Sequence, residues 1–163
     1  MKISLVLIIY RSDSTIAKDT SNYCENIFNS KGINSLKIDS NFNKSNLENQ
    51  LKIKSKLPEL AIVLGGDGTV LKSVNVLINF KIPILSFNVG GNLGFLSQDK
   101  KYLLNQSFLS LLEKDEFSIE KRKMLECMFY KQAINNKNSY LEPIHYFALN
   151  DFYFKSVEND ISP

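Results

Sequence analysis

Apolar residues in this chain come in short unbroken runs that alternate with stripes at helical spacing. Residues 3–10 (ISLVLIIY) and 60–64 (LAIVL) are almost wholly apolar, the pattern of strands buried on both faces of a parallel sheet. Residues 33–39 (INSLKID) and 82–87, with Pro83 near the start, predict two more strands. Between the first two strands, Ile16, Ala17, Cys24, Ile27 and Phe28 fall on one helical face. Ser12, Asp13 and Ser14 offer N-cap side chains for that helix, and Gly32 stands where a C′ glycine belongs. A weaker helix is expected within 40–56, where Leu47, Leu51 and Ile53 are the apolar positions and Pro58 ends the stretch. Val70, Leu71, Val74, Leu77 and Ile78 form a further stripe, and helical periodicity resumes over 102–112. Strand–helix alternation of this kind predicts an α/β fold on an open parallel sheet.

The period changes after about residue 115. Residues 117–120, 124–130, 146–149 and 152–154 read as strands, separated by an Asn-rich turn at 135–139. The expected organisation is therefore an α/β domain over 1–115 and the beginning of a β-rich domain over 116–163.

Composition narrows the function classes. With 44% hydrophobic and 11% aromatic residues, the 163-residue chain is too apolar to be mainly disordered. Twenty Lys+Arg against seventeen Asp+Glu leave a net charge of +3, spread thinly and with only Arg11 and Arg122 as arginines. No nucleic-acid partner is expected from so small an excess. Cys24 and Cys127 are far apart, so neither a CxxC metal site nor a disulfide framework is expected, and both read as small buried hydrophobes. The 3–10 run ends in Arg11-Ser12-Asp13 without a small-residue cleavage site. No run approaches the roughly 18–20 apolar residues that span a bilayer. A soluble, cytoplasmic protein without membrane association is expected.

Two glycine-rich turns carry the candidate chemistry. Gly65-Gly66-Asp67-Gly68-Thr69 sits where a buried strand passes into a helix, and ligands of open α/β sheets bind beyond the carboxyl ends of the strands. Glycines there permit unusual backbone angles and close approach, while the helix start favours a phosphate. A carboxylate beside phosphates is repulsive unless it handles a metal or accepts a hydroxyl proton, both parts of phosphoryl transfer. Read as a plain turn, the same residues would only let Asp67 cap the helix. The segment is neither a Walker A loop nor a GxGxxG fingerprint. The second turn is Asn88-Val89-Gly90-Gly91-Asn92-Leu93-Gly94-Phe95-Leu96, in which Leu93, Phe95 and Leu96 read as core residues beside a turn. Later, Ala148-Leu149-Asn150-Asp151 puts an asparagine and a carboxylate at a strand end, able to address adenine edges and ribose hydroxyls, or simply to form an Asx turn.

In order and spacing the three segments resemble the NAD kinases. GGDGT is also similar to the loop of lipid kinases and, more loosely, of phosphofructokinases; the turn ending in LGFL and the ALND segment separate the NAD kinases from these. Asn88, Gly90, Leu93, Gly94, Phe95 and Leu96 match the second motif, with Gly91-Asn92 making this turn one residue longer than the shorter form. Residues 118–125 (SIEKRKML), with Arg122, also resemble the family's entry into its second domain. The resemblance implies a phosphofructokinase-like α/β domain and ATP-dependent phosphorylation of the adenosine ribose 2′-OH of NAD. Carried over, Asp67 is the proton acceptor and contacts the substrate with Gly68. Lys72 stands where the family has a basic residue near the nucleotide, a solvated charge being its other reading. Asn150 and Asp151 hold NAD, and Mg²⁺ or a similar divalent ion accompanies ATP with ligands unassigned. His145, the one histidine, reads as structural.

By the same resemblance, family members continue past the ALND-type segment through a β-rich domain that completes the NAD pocket and carries the homo-oligomer contacts. These residues are therefore expected to be a truncated NAD kinase. Phe147, Phe152 and Phe154 would lack covering partners, and the activity of the short chain alone is in question. Two alternatives stay open: a lipid or sugar kinase sharing the GGDGT loop, and an inactive nucleotide-binding fragment.

Overall fold

The computed structural model describes residues 2–54, 56–92, 94–130, 132–133, 136–140 and 142–153. The chain divides into two compact units, the second beginning at Lys121.

In the first unit β1 (Leu5–Tyr10) passes into α1 (Thr15–Ser30), β2 (Asn34–Asp39), α2 (Lys44–Lys54) and β3 (Leu60–Leu64). Then come α3 (Asp67–Leu77), a 3₁₀ turn (Ile78–Phe80), β4 (Ile84–Asn88), β5 (Gln98–Asp99), α4 (Lys100–Leu104) and α5 (Ser107–Glu113). The five strands pair in parallel in the order β2-β1-β3-β4-β5. Four of the five strands are those the apolar runs predict, and β3 begins and ends where they place it; β5, two polar residues, carries no apolar run and is not among the strands expected.

Strand alternation splits the core in two. Val6 and Ile8 of β1 with Leu60, Ile62 and Leu64 of β3 face α1, α4 and α5, where Cys24, Phe28, Leu103 and Phe108 are buried. Leu7, Ile9, Ala61 and Val63 face α2 and α3, against Leu47, Leu51, Val70 and Leu77. Because α1 follows β1 onto one face and α3 follows β3 onto the other, the neighbouring carboxyl ends of β1 and β3 form a switch point.

Local signals account for the ends of α1. The Ser14 hydroxyl accepts the Ala17 N–H at 3.3 Å. At the other end Ile33 N–H bonds to Phe28 O and Gly32 N–H to Asn29 O, both 3.0 Å, with Gly32 at φ +70°. This is a Schellman closure in which Ile33 and Phe28 join the same core cluster.

Several expectations need correction. The helix expected over 102–112 is two, because Gln106 takes a left-handed φ of 57° between α4 and α5. Residues 117–120 pair with no strand. In the second unit β6 (Leu125–Phe129) pairs antiparallel with β9 (Ile144–Ala148), and β7 (Gln132–Ala133) with β8 (Asn136–Tyr140). The Asn-rich stretch is thus partly strand from 136 onward, its polar residues paired through backbone groups that composition does not reveal; residue 135 lies outside the described residues. Phe147 and Phe152 are half-buried and Phe154 lies outside the described residues, so the exposed apolar side chains of β6 and β9 are instead Leu125, Met128, Phe129, Ile144 and Tyr146. Residues 152–153 form no strand. Of the cysteines, Cys24 is fully buried and Cys127 half-buried; burial pushes the Cys24 thiol up to about 12, where it is unreactive.

Phe87 of β4 stacks edge-on to Phe108 of α5, ring centroids 5.3 Å apart. Phe87→Ala should lower unfolding stability by about 3–5 kcal/mol in urea titrations, as for other fully buried rings. At the amino ends of β1 and β3, partial burial pushes the Glu59 carboxyl up. The Lys56 ammonium and the N–H groups of Leu5 and Ser4 outweigh that effect and hold it at about 2, below its ordinary 4.5. A depressed folded value stabilises above the unfolded one and is lost as pH falls. Stability should therefore drop between pH 4.5 and about 2 in the wild type, and Glu59→Gln should flatten that limb in denaturation curves taken across the window.

Candidate functional site

Asp67 is the first residue of α3, directly beyond the carboxyl end of β3 and one wall of the switch point. Its carboxylate does not cap its own helix: the N-cap is Gly66, with no side-chain cap bond. Oδ2 instead accepts the Phe95 N–H at 2.9 Å, and Oδ1 accepts the Leu96 N–H at 3.1 Å. The first and second glycine turns are thus joined through one side chain.

The glycines around Asp67 play different parts. Gly65 is packed, since a Cβ there would lie 2.7 Å from the Thr69 Cβ. Gly66 is extended and Gly68 helical, and a Cβ on either would meet nothing within 4 Å. The unusual backbone angles expected of this loop do not occur: the left-handed glycines are Gly32 and Gly91. Bare backbone at 66 and 68 instead leaves the start of α3 open, where the helix dipole also favours the Asp67 charge.

The second turn is organised from within. Asn88, buried at the end of β4, donates through Nδ2 to Asn92 O and accepts the Gly90 N–H through Oδ1 at 3.0 Å. Ser86 donates its hydroxyl to Leu96 O, and Val89 is buried in the core. Ser97 carries a buried hydroxyl that has no partner among the described residues. Phe95 is 98% exposed, so it is not the core residue that its apolar character suggests. Its N–H is spent on Asp67 while its ring stays outside. Leu96 is half-buried and Leu93 lies outside the described residues.

On the other side of the switch point, Asp39 accepts the Ser12 N–H at 2.9 Å and the Asn41 N–H at 2.7 Å, tying the β1 loop to the end of β2. Partial burial pushes the Asp39 carboxyl up, but these bonds outweigh it and hold the group below its ordinary value.

The structure brings together Asp67, Gly68 and the 88–96 turn, but not every predicted residue. Lys72 is exposed and stands five positions after Asp67, about 140° further around the helix, so the two do not share a face. Asn150 and Asp151 are exposed in the bend after β9, within the second unit. Arg122 lies exposed in the segment before β6. His145 Nδ1 pairs with Glu126 Oε1 at 2.7 Å on one face of the β6–β9 ladder, a cross-strand contact in keeping with a structural role. The backbone donors of Phe95 and Leu96, the Ser86 hydroxyl and the space kept by Gly94 were not visible in the sequence. An N–H looks alike in every residue.

A family model for the ATP-NAD kinase N-terminal domain matches residues 11–117, two-thirds of the chain and both glycine turns. The chain belongs to the NAD kinase family. It is 54% identical to NAD kinase 1 of Prochlorococcus marinus subsp. pastoris over 97% of its own length and 52% of that protein's. Identity to NAD kinase 1 of Parasynechococcus marenigrum is 34%, covering 100% of this chain and 55% of the relative. The chain thus spans about half the length of the curated relatives it matches. The fold is also that of a crystal structure of yeast NADH kinase complexed with NADH, with a TM-score of 0.61 at 20% identity over 92% of this chain and 48% of that one. Within this NAD kinase family member, removing Asn88 tests whether its side chain organises the second turn. Asn88→Ala strands the Gly90 N–H and the Asn92 carbonyl, and should cost about 1–3 kcal/mol in denaturant titrations.

Proposed function

We propose that the protein is an ATP-dependent NAD kinase, moving the γ-phosphoryl group of ATP to the adenosine ribose 2′-OH of NAD. The observation that carries this reading is the joining of GGDGT to the LGFL turn through Asp67, in a chain whose family is established. Asp67 accepts the hydroxyl proton as the ribose oxygen bonds to the γ-phosphorus and the bond to ADP breaks. Each carboxylate oxygen takes one N–H and so keeps lone-pair capacity for a hydroxyl. The Gly66 carbonyl takes the Thr69 N–H at 2.9 Å and the Val70 N–H at 3.2 Å, while the uncapped first turn of α3 offers its remaining donors to a phosphate.

Gly68 lies beside Asp67 as a backbone contact, and Asn150 and Asp151 address the dinucleotide. Lys72, on a different helical face from Asp67, would serve the outer phosphates rather than the ribose. We take residues 1–115 as the α/β domain and 116–163 as the beginning of the β-rich NAD-binding domain. A divalent ion such as Mg²⁺ would enter with the ATP phosphates, which would hold most of it; among the described residues no three His, Cys, Asp or Glu side chains gather as a metal site. No helix among the described residues is long and apolar enough to cross a membrane.

The test is NADP formation from ATP and NAD by protein carrying these residues, wild type against Asp67→Asn. A loss of about 10²–10⁴-fold in kcat is expected, the range of general-base contributions. Equal turnover by both proteins would remove Asp67 as the proton acceptor.

A further inference from the structure

The carboxylate of Asp67 lies directly against the backbone of the second turn. A Cβ built on Gly94 falls within contact of all three carboxylate atoms. Gly94 is not left-handed, so the glycine there serves space rather than backbone freedom: a Cβ would have to displace the Asp67 carboxylate. The next two residues then supply the Phe95 and Leu96 N–H groups, one to each oxygen. A single bond would let the carboxylate swing; two consecutive amides on two oxygens fix both its position and its plane.

We propose that residues 94–96 are the positioning element of Asp67. The missing side chain at 94 admits the carboxylate, and the amides of 95 and 96 aim its remaining lone pairs. The inference rests on the reading of Asp67 as proton acceptor, a role that demands placement: an acceptor works within roughly 2.6–3.2 Å of the hydroxyl. A displacement near 1 Å costs on the order of 10²-fold in rate. The arrangement is reciprocal. Asp67→Asn would turn a donor toward one of the two amide N–H groups, so it loosens the turn as well as removing the base. Gly90 provides the control, since it lies in the same turn and a Cβ there meets nothing within 4 Å.

The experiment is amide hydrogen exchange on the labelled 163-residue chain, together with the carboxyl carbon resonance of Asp67. In Gly94→Ala, exchange at Phe95 and Leu96 should rise at least ~10-fold and the Asp67 resonance should shift, while β1 and β3 amides keep their protection. Gly90→Ala should change neither by more than about 2-fold. Unaltered exchange at 95 and 96 in Gly94→Ala, or equal disturbance from Gly90→Ala, would overturn the proposal. Should Gly94→Ala fail to fold, Asp67→Asn decides alone. Lost protection at 95 and 96 with β3 intact supports the proposal; retained protection overturns it. In protein that makes NADP, Gly94→Ala should lower kcat roughly 10²-fold with the KM for ATP within about 3-fold. A raised KM at unchanged kcat contradicts positioning. Absence of NADP from a wild-type protein that carries these residues at the full length of the curated relatives would sink the kinase reading, while exchange still decides the placement of Asp67.

Discussion

A carboxylate at the mouth of a buried parallel sheet has to be answered by donors, and here both answers come from main chain. The Phe95 and Leu96 amides each give one hydrogen bond to Asp67, closing the β3–α3 turn onto the β4–β5 connection. Much of the surrounding detail follows from that closure. Gly94 must lack a side chain, Phe95 is left outside with its ring in solvent, and Ser86 and Asn88 shape the backbone that carries the two donors. Charge-assisted bonds of this kind are roughly twice as strong as neutral ones, which suits them to holding the carboxylate in place.

The sheet makes that closure possible. β1 and β3 are apolar on both faces because helices cover both, and their parallel run delivers every following loop to one edge. The order β2-β1-β3-β4-β5 then puts the Asp67 loop at the point where the chain changes face. The second unit follows a different logic. Its β6–β9 ladder is a two-stranded ribbon with Leu125, Phe129, Ile144 and Tyr146 on one face and the His145–Glu126 pair on the other. Such ribbons have little independent stability in water.

Legibility followed burial. The apolar run of Leu60–Leu64, covered on both faces, states the strand's limits directly, while that of β1 runs two residues past the strand at its amino end. Side-chain caps such as Ser14 and left-handed glycines such as Gly32 were also readable, because each depends on residue type. Structure resting on backbone alone was not. The break at Gln106, the polar strand Asn136–Tyr140 and the amides that grip Asp67 involve groups every residue possesses. The same limit applied at the site. Motif order placed Asp67 and the second turn in one family, but their contact, the exposure of Phe95 and the packing reason for Gly94 appeared only in three dimensions.

The proposed role of Asp67 requires that it and the 94–96 backbone form one surface that meets the dinucleotide. Titrating NAD into nitrogen-labelled protein and following the amide resonances tests this directly. Saturable shifts centred on Gly68, Phe95 and Leu96, with the amides around Glu59 at the opposite end of the sheet unmoved, are the predicted result. Shifts confined to that opposite end, or no shift at 68, 95 and 96 at saturating NAD, would contradict it.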